Sequence, residues 1–408
     1  MLVHALKQIE LDAVTEPEPS ASAKRTGAAG FDVRAGNLSD FAHWPRTDRM
    51  GEARCHVFQC ADLLEVWLDT IGAARGTEAC FVGVSDWAGR PVLLLALGVE
   101  RRRGVRVLTF LDGTVSDYNG PVLFPAACMV DDRAWPGLWR AIREALPAFD
   151  VALLDKMPAE IEGLPNPLMR LGAVPMPVSG HAMSLGGTRQ ELEKRLPQIK
   201  RQARYRKQLE KIGPVALEVA EGRSQADAFL DDMIKNKARK FAETRVPGWE
   251  EPGKLAFYQQ ATRRLAGSYP VHLSVLKVND TVVASHWGLT LGDRFYQLMP
   301  AHAGGEWRRF GPGRFLNDDL IRWCHAQGLA WFDFGVGDEA YKDEYCDTEI
   351  ALFEAIFPTS MAGRLHLRAM ALVSFLRATR LWQTVRPLKW VVLRALQRGK
   401  HSAVHRAE

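Results

Sequence analysis

The stretch from Asp293 to Lys342 constrains this chain most, because it reads in order as strand, glycine-rich turn, helix, strand. Residues 294–299 are rich in β-formers (Phe295, Tyr296, Leu298), and Pro300, lacking a ladder donor, is expected to end or bulge that strand. The turn Arg308-Arg309-Phe310-Gly311-Pro312-Gly313 follows. Phe315, Leu316, Leu320, Ile321, Trp323 and Cys324 then mark one helical face, with Gly328 as its stop. Trp331 to Val336 is a short apolar run suited to a buried strand. A glycine turn opening a helix leaves backbone N–H groups pointing outward at the positive end of the helix dipole, a seat for a pyrophosphate. The plainer alternative is a tight connection. The spacing Arg308-x-x-Gly311-x-Gly313 is neither the GxxxxGK[ST] of a nucleotide P-loop nor the GxGxxG of a dinucleotide fold.

With 408 residues the chain has room for two domains of ordinary size. Its 47% hydrophobic and 25% charged residues describe a globular rather than a disordered protein. No uninterrupted apolar run approaches the roughly 18 residues that span a bilayer, and MLVHALKQIELD has no secretory pattern. The six cysteines (55, 60, 80, 128, 324, 346) form no CxxC pair and have no histidine at ligand spacing. Buried thiols in a reducing compartment, and no metal, are the expectation. The protein is expected in the cytoplasm.

Residues 1–54 read as a flexible leader, with 12–30 poor in large apolar side chains. A helix at 58–71 precedes three β-rich runs, Cys80–Val84, Val92–Val99 and Val105–Leu111, that suggest an antiparallel meander. Arg101, Arg102 and Arg103 sit at its second turn and read as a solvated hairpin tip. About 190 residues later the pattern returns at His272–Val278, Val282–Leu291 and Phe295–Met299. FVGVSDWAGRPVLLLALG can be laid over LSVLKVNDTVVASHWGLT with hairpin turns in register, which implies an internal repeat of a whole domain. Only the second copy has the Arg-rich glycine turn. The connector NPLMRLGAVPMPVSGHAMSLGG between the halves has room for one strand. Thr188 to Ile212 is a strongly basic helix candidate broken or kinked at Pro197; it is either a solvated face or a seat for a polyanion. Without aromatic interleaving or an RNA-binding motif, sequence-specific nucleic-acid reading is not expected. From Ala355 to Ala407 there are ten Lys and Arg and no acidic residue. This tail suits an anionic membrane surface, the protein itself or a partner.

The Arg308–Gly311–Gly313 spacing resembles the acyl-CoA signature Q/R-x-x-G-x-G/A of the GNAT acyltransferases. The longer pattern from WRRFGPGRFLNDDLIRW through FDFGVGDEAYKDEY resembles their FemAB-like, tandem-GNAT branch, often associated with cellulose or other exopolysaccharide production. SDYNGPVL and RYRKQLEKIGPV are similar to the same branch. The resemblance spans about residues 55–357 and implies an α/β (α+β) fold of two tandem GNAT-like domains, each a mixed, mainly antiparallel sheet flanked by helices. The units expected are 55–180, 181–360 with the acyl-CoA site, and a basic helical tail at 361–408.

The activity so implied is N-acyl transfer from acetyl-CoA or a longer acyl-CoA to an amine, with an exopolysaccharide or cell-envelope role. Candidate cofactor-binding residues are Leu298 and Met299 at the bulge and Arg308, Arg309, Phe310, Gly311, Gly313, Arg314 and Phe315 at the turn. Tyr341 or Tyr345 is the candidate acid and Asp338 or Glu339 the candidate base, with His286 as second candidate. Asp117, Tyr118 and Asn119, otherwise turn residues, become candidate walls of an acceptor groove, with Lys342 beside them. Two rivals are a FemAB-type transferase using aminoacyl-tRNA and a non-catalytic scaffold at the inner face of the membrane. The former usually carries a helical hairpin for which the interval 185–215 is too short.

Overall fold

Short β-branched runs broken by glycine and asparagine turns build two sheets in the computed structural model, which describes residues 30–197, 200–244, 248–266 and 270–378. The first half forms β1 (Phe31–Gly36), β2 (Glu78–Asp86), β3 (Pro91–Arg102), β4 (Val105–Phe110), β5 (Val122–Leu123) and β6 (Val151–Pro158). A small hairpin, β7 (Glu160–Ile161) and β8 (Leu164–Pro165), precedes β9 (Val174–Pro175). Next come β10 (Gly180–Ser184), β11 (Val215–Val219), β12 (Val271–Val278), β13 (Thr281–Leu291) and β14 (Arg294–His302). The last are β15 (Trp331–Val336), β16 (Thr348–Ile350) and β17 (Leu352–Pro358). The main helices are α1 (Ala61–Trp67), α2 (Trp135–Ala145), α3 (Arg189–Arg195), α4 (Lys200–Ile212) and α5 (Arg223–Thr244), then α6 (Lys254–Leu265), α7 (Pro312–Ala326) and α8 (Met361–Ala378). The basic run is thus two helices, broken at Pro197 as expected.

The first sheet runs β1-β2-β3-β4-β6-β17-β9, with β5 beside β3, and the second runs β11-β12-β13-β14-β15-β10-β16. In both, three antiparallel pairings are followed by one parallel pairing and two more antiparallel ones. The β2–β3 and β12–β13 hairpins hold equivalent places, so the repeat legible in the sequence is a repeat of topology.

The halves also exchange closing strands. β10, from the connector, pairs with β15, and β17, from beyond the second half, pairs with β6. The expected unit 181–360 is corrected at its end only: β17 belongs to the first sheet. The expected leader 1–54 is too long as well. Phe31 to Gly36 pair with β2 throughout, and Trp44 sits edge-on against Phe81 at 5.1 Å, because Phe31, Val33 and Trp44 supply the apolar contacts that 12–29 lack. Residues 1–29 of the leader lie outside the described residues.

One core runs between the sheets, from Phe58, Leu64 and Trp67 of the first half to Phe229, Tyr258 and Trp287 of the second. Others lie under α2 and, in the second half, under α7 (Phe295, Phe315, Leu316, Leu320). Trp287 is fully buried, and its indole N–H donates to Thr262 Oγ1 at 2.8 Å. Trp287→Ala is expected to cost about 3–5 kcal/mol, read as a lower urea midpoint with an unchanged m-value.

Candidate active site

Pro300 does not end its strand; β14 continues to His302. Trp287 faces Met299 and Gly288 faces Gln297, which leaves Leu298 as an extra residue, a bulge. β14 and β15 pair in parallel only at Arg294–Trp331, Phe295–Phe332 and Tyr296–Asp333, after which β15 continues along β10 and the two strands part. A wedge therefore opens between residues 297–302 and 334–336.

The glycine turn leads into α7. Gly311, with φ 64° and ψ 51°, takes the left-handed conformation at the N-cap, where glycine carries no steric penalty, and Pro312 occupies the first helical position. The Gly311 N–H closes onto Arg308 O (3.2 Å) and the Arg314 N–H onto Gly311 O (3.1 Å), both within the turn. A side chain added at Gly313 would meet open space, and no loop or side chain among the described residues caps its amide. Phe310 and Phe315, read as cofactor contacts, are buried and anchor the turn from beneath. Arg308 is 72% exposed, Arg309 lies over the Phe310 ring at 4.6 Å, and Arg314 makes a two-pronged pair with Glu344 (2.6 and 2.7 Å). The turn offers an anion two exposed arginines, Arg308 (3.9 Å from Glu243 Oε2) and Arg309, and an uncapped helix terminus.

Asp333 marks the point where the strands part. Its buried carboxylate accepts from the Tyr118 hydroxyl at 2.8 Å, the Arg294 guanidinium at 3.0 Å and the Gly335 N–H at 2.8 Å. Tyr118 comes from the first half, so the loop 112–120 is held at the wedge. A Cβ at Gly335, where φ is +71°, would collide with Asp117 Oδ2 and lie 3.6 Å from the Gln297 carbonyl on β14. The Asp117 carboxylate therefore occupies the gap between the parting strands, and the residue as a whole is half-buried. Burial pushes its pKa up to about 7, with Asp333 and Asp112 adding to the shift and Lys156 and Lys342 opposing it. The corresponding opening of the first sheet is filled. There Lys156 on β6 donates to Asp112 Oδ2 (2.7 Å) and Ser116 O (2.8 Å), just beyond β4.

The other expected site residues separate into groups. Asp338, at the end of β15, accepts from the Ser179 N–H (3.3 Å) and faces His181 Nε2 (3.1 Å), a contact that holds its carboxyl below the ordinary range. Glu339 is exposed and pairs with Lys342 at 3.0 Å. Lys342 is a correction. Its side chain is buried and donates to Gly335 O (3.1 Å), so it holds the strand end instead of facing an acceptor. Tyr118 and Asn119 are likewise interior, Asn119 Nδ2 donating to Asp155 O at 3.2 Å; only Asp117 of that trio faces the wedge.

Tyr345 donates to Asp318 Oδ1 (2.7 Å), whose pKa burial raises to about 6. Tyr341 is half-buried, with no hydroxyl partner among the described residues, and burial raises its pKa. His286 as a base is a further correction. It is wholly buried against His272 and Phe295, neither ring nitrogen has a partner among the described residues, and burial drives its pKa well below the ordinary value.

Sequence reasoning missed Asp333, Arg294, Asp318 and Lys237. Asp333 left a signal, a lone acid inside the apolar run WFDFGV. Lys237 left none. It lies on α5 and donates to Pro300 O at 3.2 Å, and burial beside Lys240 and Lys254 lowers its pKa to about 8. No group of metal-ligating side chains occurs among the described residues.

Residues 198–343 match the family model described as Acetyltransferase (GNAT) domain. No curated protein matches the chain. A crystal structure of FemX is similar in fold, with TM-score 0.50 and 11% identity over 74% of this chain and 93% of that one. A tandem GNAT protein from the clavulanic acid biosynthesis pathway gives 0.44 at 10% identity over 81% and 99%. L-PGS from Bacillus licheniformis gives 0.42 at 11% identity over 78% and 97%. The acetyltransferase-domain match thus falls in the second half, and the first half repeats the strand topology of the second.

Gly335→Ala places a Cβ against Asp117 at a positive φ and is expected to cost about 1–3 kcal/mol. Asp117→Ala in the same background removes the collision, and a double-mutant cycle in urea should show coupling of about 0.5–3 kcal/mol between the two positions.

Proposed function

We propose that this chain transfers an acyl group from a CoA thioester to an amine in the wedge between β14 and β15. The observation that carries the reading is the wedge itself. It is splayed from Asp333 onward, bulged at Leu298, flanked by the uncapped terminus of α7, and entered by a carboxylate whose pKa stands near neutrality. The match of 198–343 to a GNAT acetyltransferase domain supports the same donor.

The Gly313 amide, with Arg308, would receive the pyrophosphate at the N-terminus of α7. The bulge at Leu298 frees backbone groups of β14 to bond the thioester carbonyl, and donors aimed at its oxygen stabilise the charge that develops there. Asp117 takes the proton from the amine as its nitrogen attacks the carbonyl carbon. A carboxylate with a pKa near 7 is matched to that task at neutral pH. As the C–S bond breaks, Tyr341 protonates the leaving thiolate; burial keeps its hydroxyl protonated, and Tyr345 is already committed to Asp318. The resemblance in the sequence points to an amine on an exopolysaccharide or cell-envelope precursor as the acceptor.

Gly313→Glu is expected to leave the melting temperature unchanged, since the side chain enters open space and an acid suits a helix N-terminus. Acetyl-CoA is expected to stabilise the unmodified protein in a thermal shift and to leave this variant unshifted. Stabilisation by an aminoacyl-tRNA and by no acyl-CoA would overturn the donor; stabilisation by neither favours a scaffold.

Asp117→Asn should lower kcat by about 10²–10⁴-fold. In the unmodified protein kcat/KM should rise with pH through about 7 as Asp117 ionises, and the variant should lose that limb. The stability effect has the opposite sign. The folded pKa is raised above the ordinary 3.8, so the folded state keeps the proton longer. Stability then falls as pH rises from about 4 to about 7, stays lower above that, and loses this dependence in Asp117→Asn.

A further inference from the structure

α8 packs on the first sheet with the wrong side outward for a soluble helix. Its inner edge is Leu367, buried with Val107 and Val151, and Gly363, whose lack of a Cβ lets the helix approach the Asp150 carbonyl. Its outer face carries Met361, Leu365, Leu372 and Phe375, each about 60% exposed. Offsets of four, eleven and fourteen residues from Met361 place all four on one stripe of an α-helix. Arg364, three residues on from Met361, borders that stripe and Arg368, seven residues on, lies within it; both are exposed. An outward row of large apolar side chains on this scale marks an interaction surface.

Charge decides what covers it. Between Ala355 and Ala407 the chain has ten Lys and Arg and no acidic residue. A second copy of the chain laid on this face would bring positive charge against positive charge, and so would the chain's own basic segment after Ala378. An anionic lipid surface supplies apolar depth for the stripe and negative charge for its arginines. No helix among the described residues is long and apolar enough to cross a membrane, so the geometry is that of a helix lying in the interface.

We infer that the outer face of α8 docks this protein on an anionic lipid bilayer, with Met361, Leu365, Leu372 and Phe375 inserted between headgroups and Arg364 and Arg368 on lipid phosphates. The inference is independent of the acyl-transfer reading, since α8 is remote in topology from the wedge and packs on β4 and β17.

The test is flotation of the full-length protein with vesicles of phosphatidylcholine alone and of equal parts phosphatidylcholine and phosphatidylglycerol. Binding is expected only to the vesicles with phosphatidylglycerol, and added salt should weaken it. Leu365→Glu with Leu372→Glu should weaken that binding by at least about tenfold. Its melting temperature should not change, because both side chains are already exposed. Arg364→Gln with Arg368→Gln, which leaves the apolar stripe whole, should weaken it roughly fivefold per arginine and provides the decisive variant if the glutamate pair fails to fold. Equal binding to both vesicle types, no binding, or binding unchanged in the arginine variant overturns the inference. Light scattering that shows a dimer, lost in the glutamate variant, overturns it in favour of a second copy.

Discussion

The structure turns on one buried carboxylate. Asp333 lies inside β15 where water cannot reach it, and an unpaired charge there would be costly enough to unfold the region. Three donors satisfy it, and each has an architectural consequence. Arg294 ties it to β14 at the last rungs before the strands part. The Gly335 N–H turns the backbone of β15 out of register with β14. The Tyr118 hydroxyl draws a loop of the first half into the second. Remove Asp333 and the opening loses both its apex and the neighbour that supplies Asp117.

The two halves share a topology but not a vacancy. In the first, Lys156 spans the gap between β6 and the segment after β4 and bonds to Asp112 and Ser116. In the second, glycine at 335 leaves a hollow that the Asp117 carboxylate of the other half enters. An exchange of closing strands, β10 for β17, makes this possible. The first sheet is completed by β17, which follows the second half, and the second by β10 from the connector, and the core from Trp67 to Trp287 is continuous. The proposed base thus comes from one repeat and the proposed acyl-CoA seat from the other, and neither is complete alone.

Much of this was legible in the residues. The strand, glycine turn, helix and strand between Asp293 and Lys342 lie where apolar spacing put them, because local periodicity is strong there. The repeat showed itself because both hairpins carry the same alternation and turn spacing. Other expectations failed for reasons a sequence cannot show. Lys342 and Asn119 look like surface polar residues but are interior, since their partners are a backbone carbonyl of β15 and one of β6. His286 looks reactive but is enclosed by aromatic rings from β12 and β14. Asp117 looked like a turn residue, and its importance came only from what lies opposite it.

What the sequence by itself determined was local: the elements, the glycine turn with its arginines, the doubled pattern and the basic, acid-free C-terminal stretch. Only the tertiary structure decided which strand closes which sheet, that β14 and β15 part after Asp333, and that Asp117 rather than Asp338 or Glu339 stands in the gap. The reason is physical. Propensity and periodicity act over a few neighbouring residues, whereas burial, carboxylate pKa and strand exchange depend on groups more than a hundred residues apart that meet only after the chain has folded.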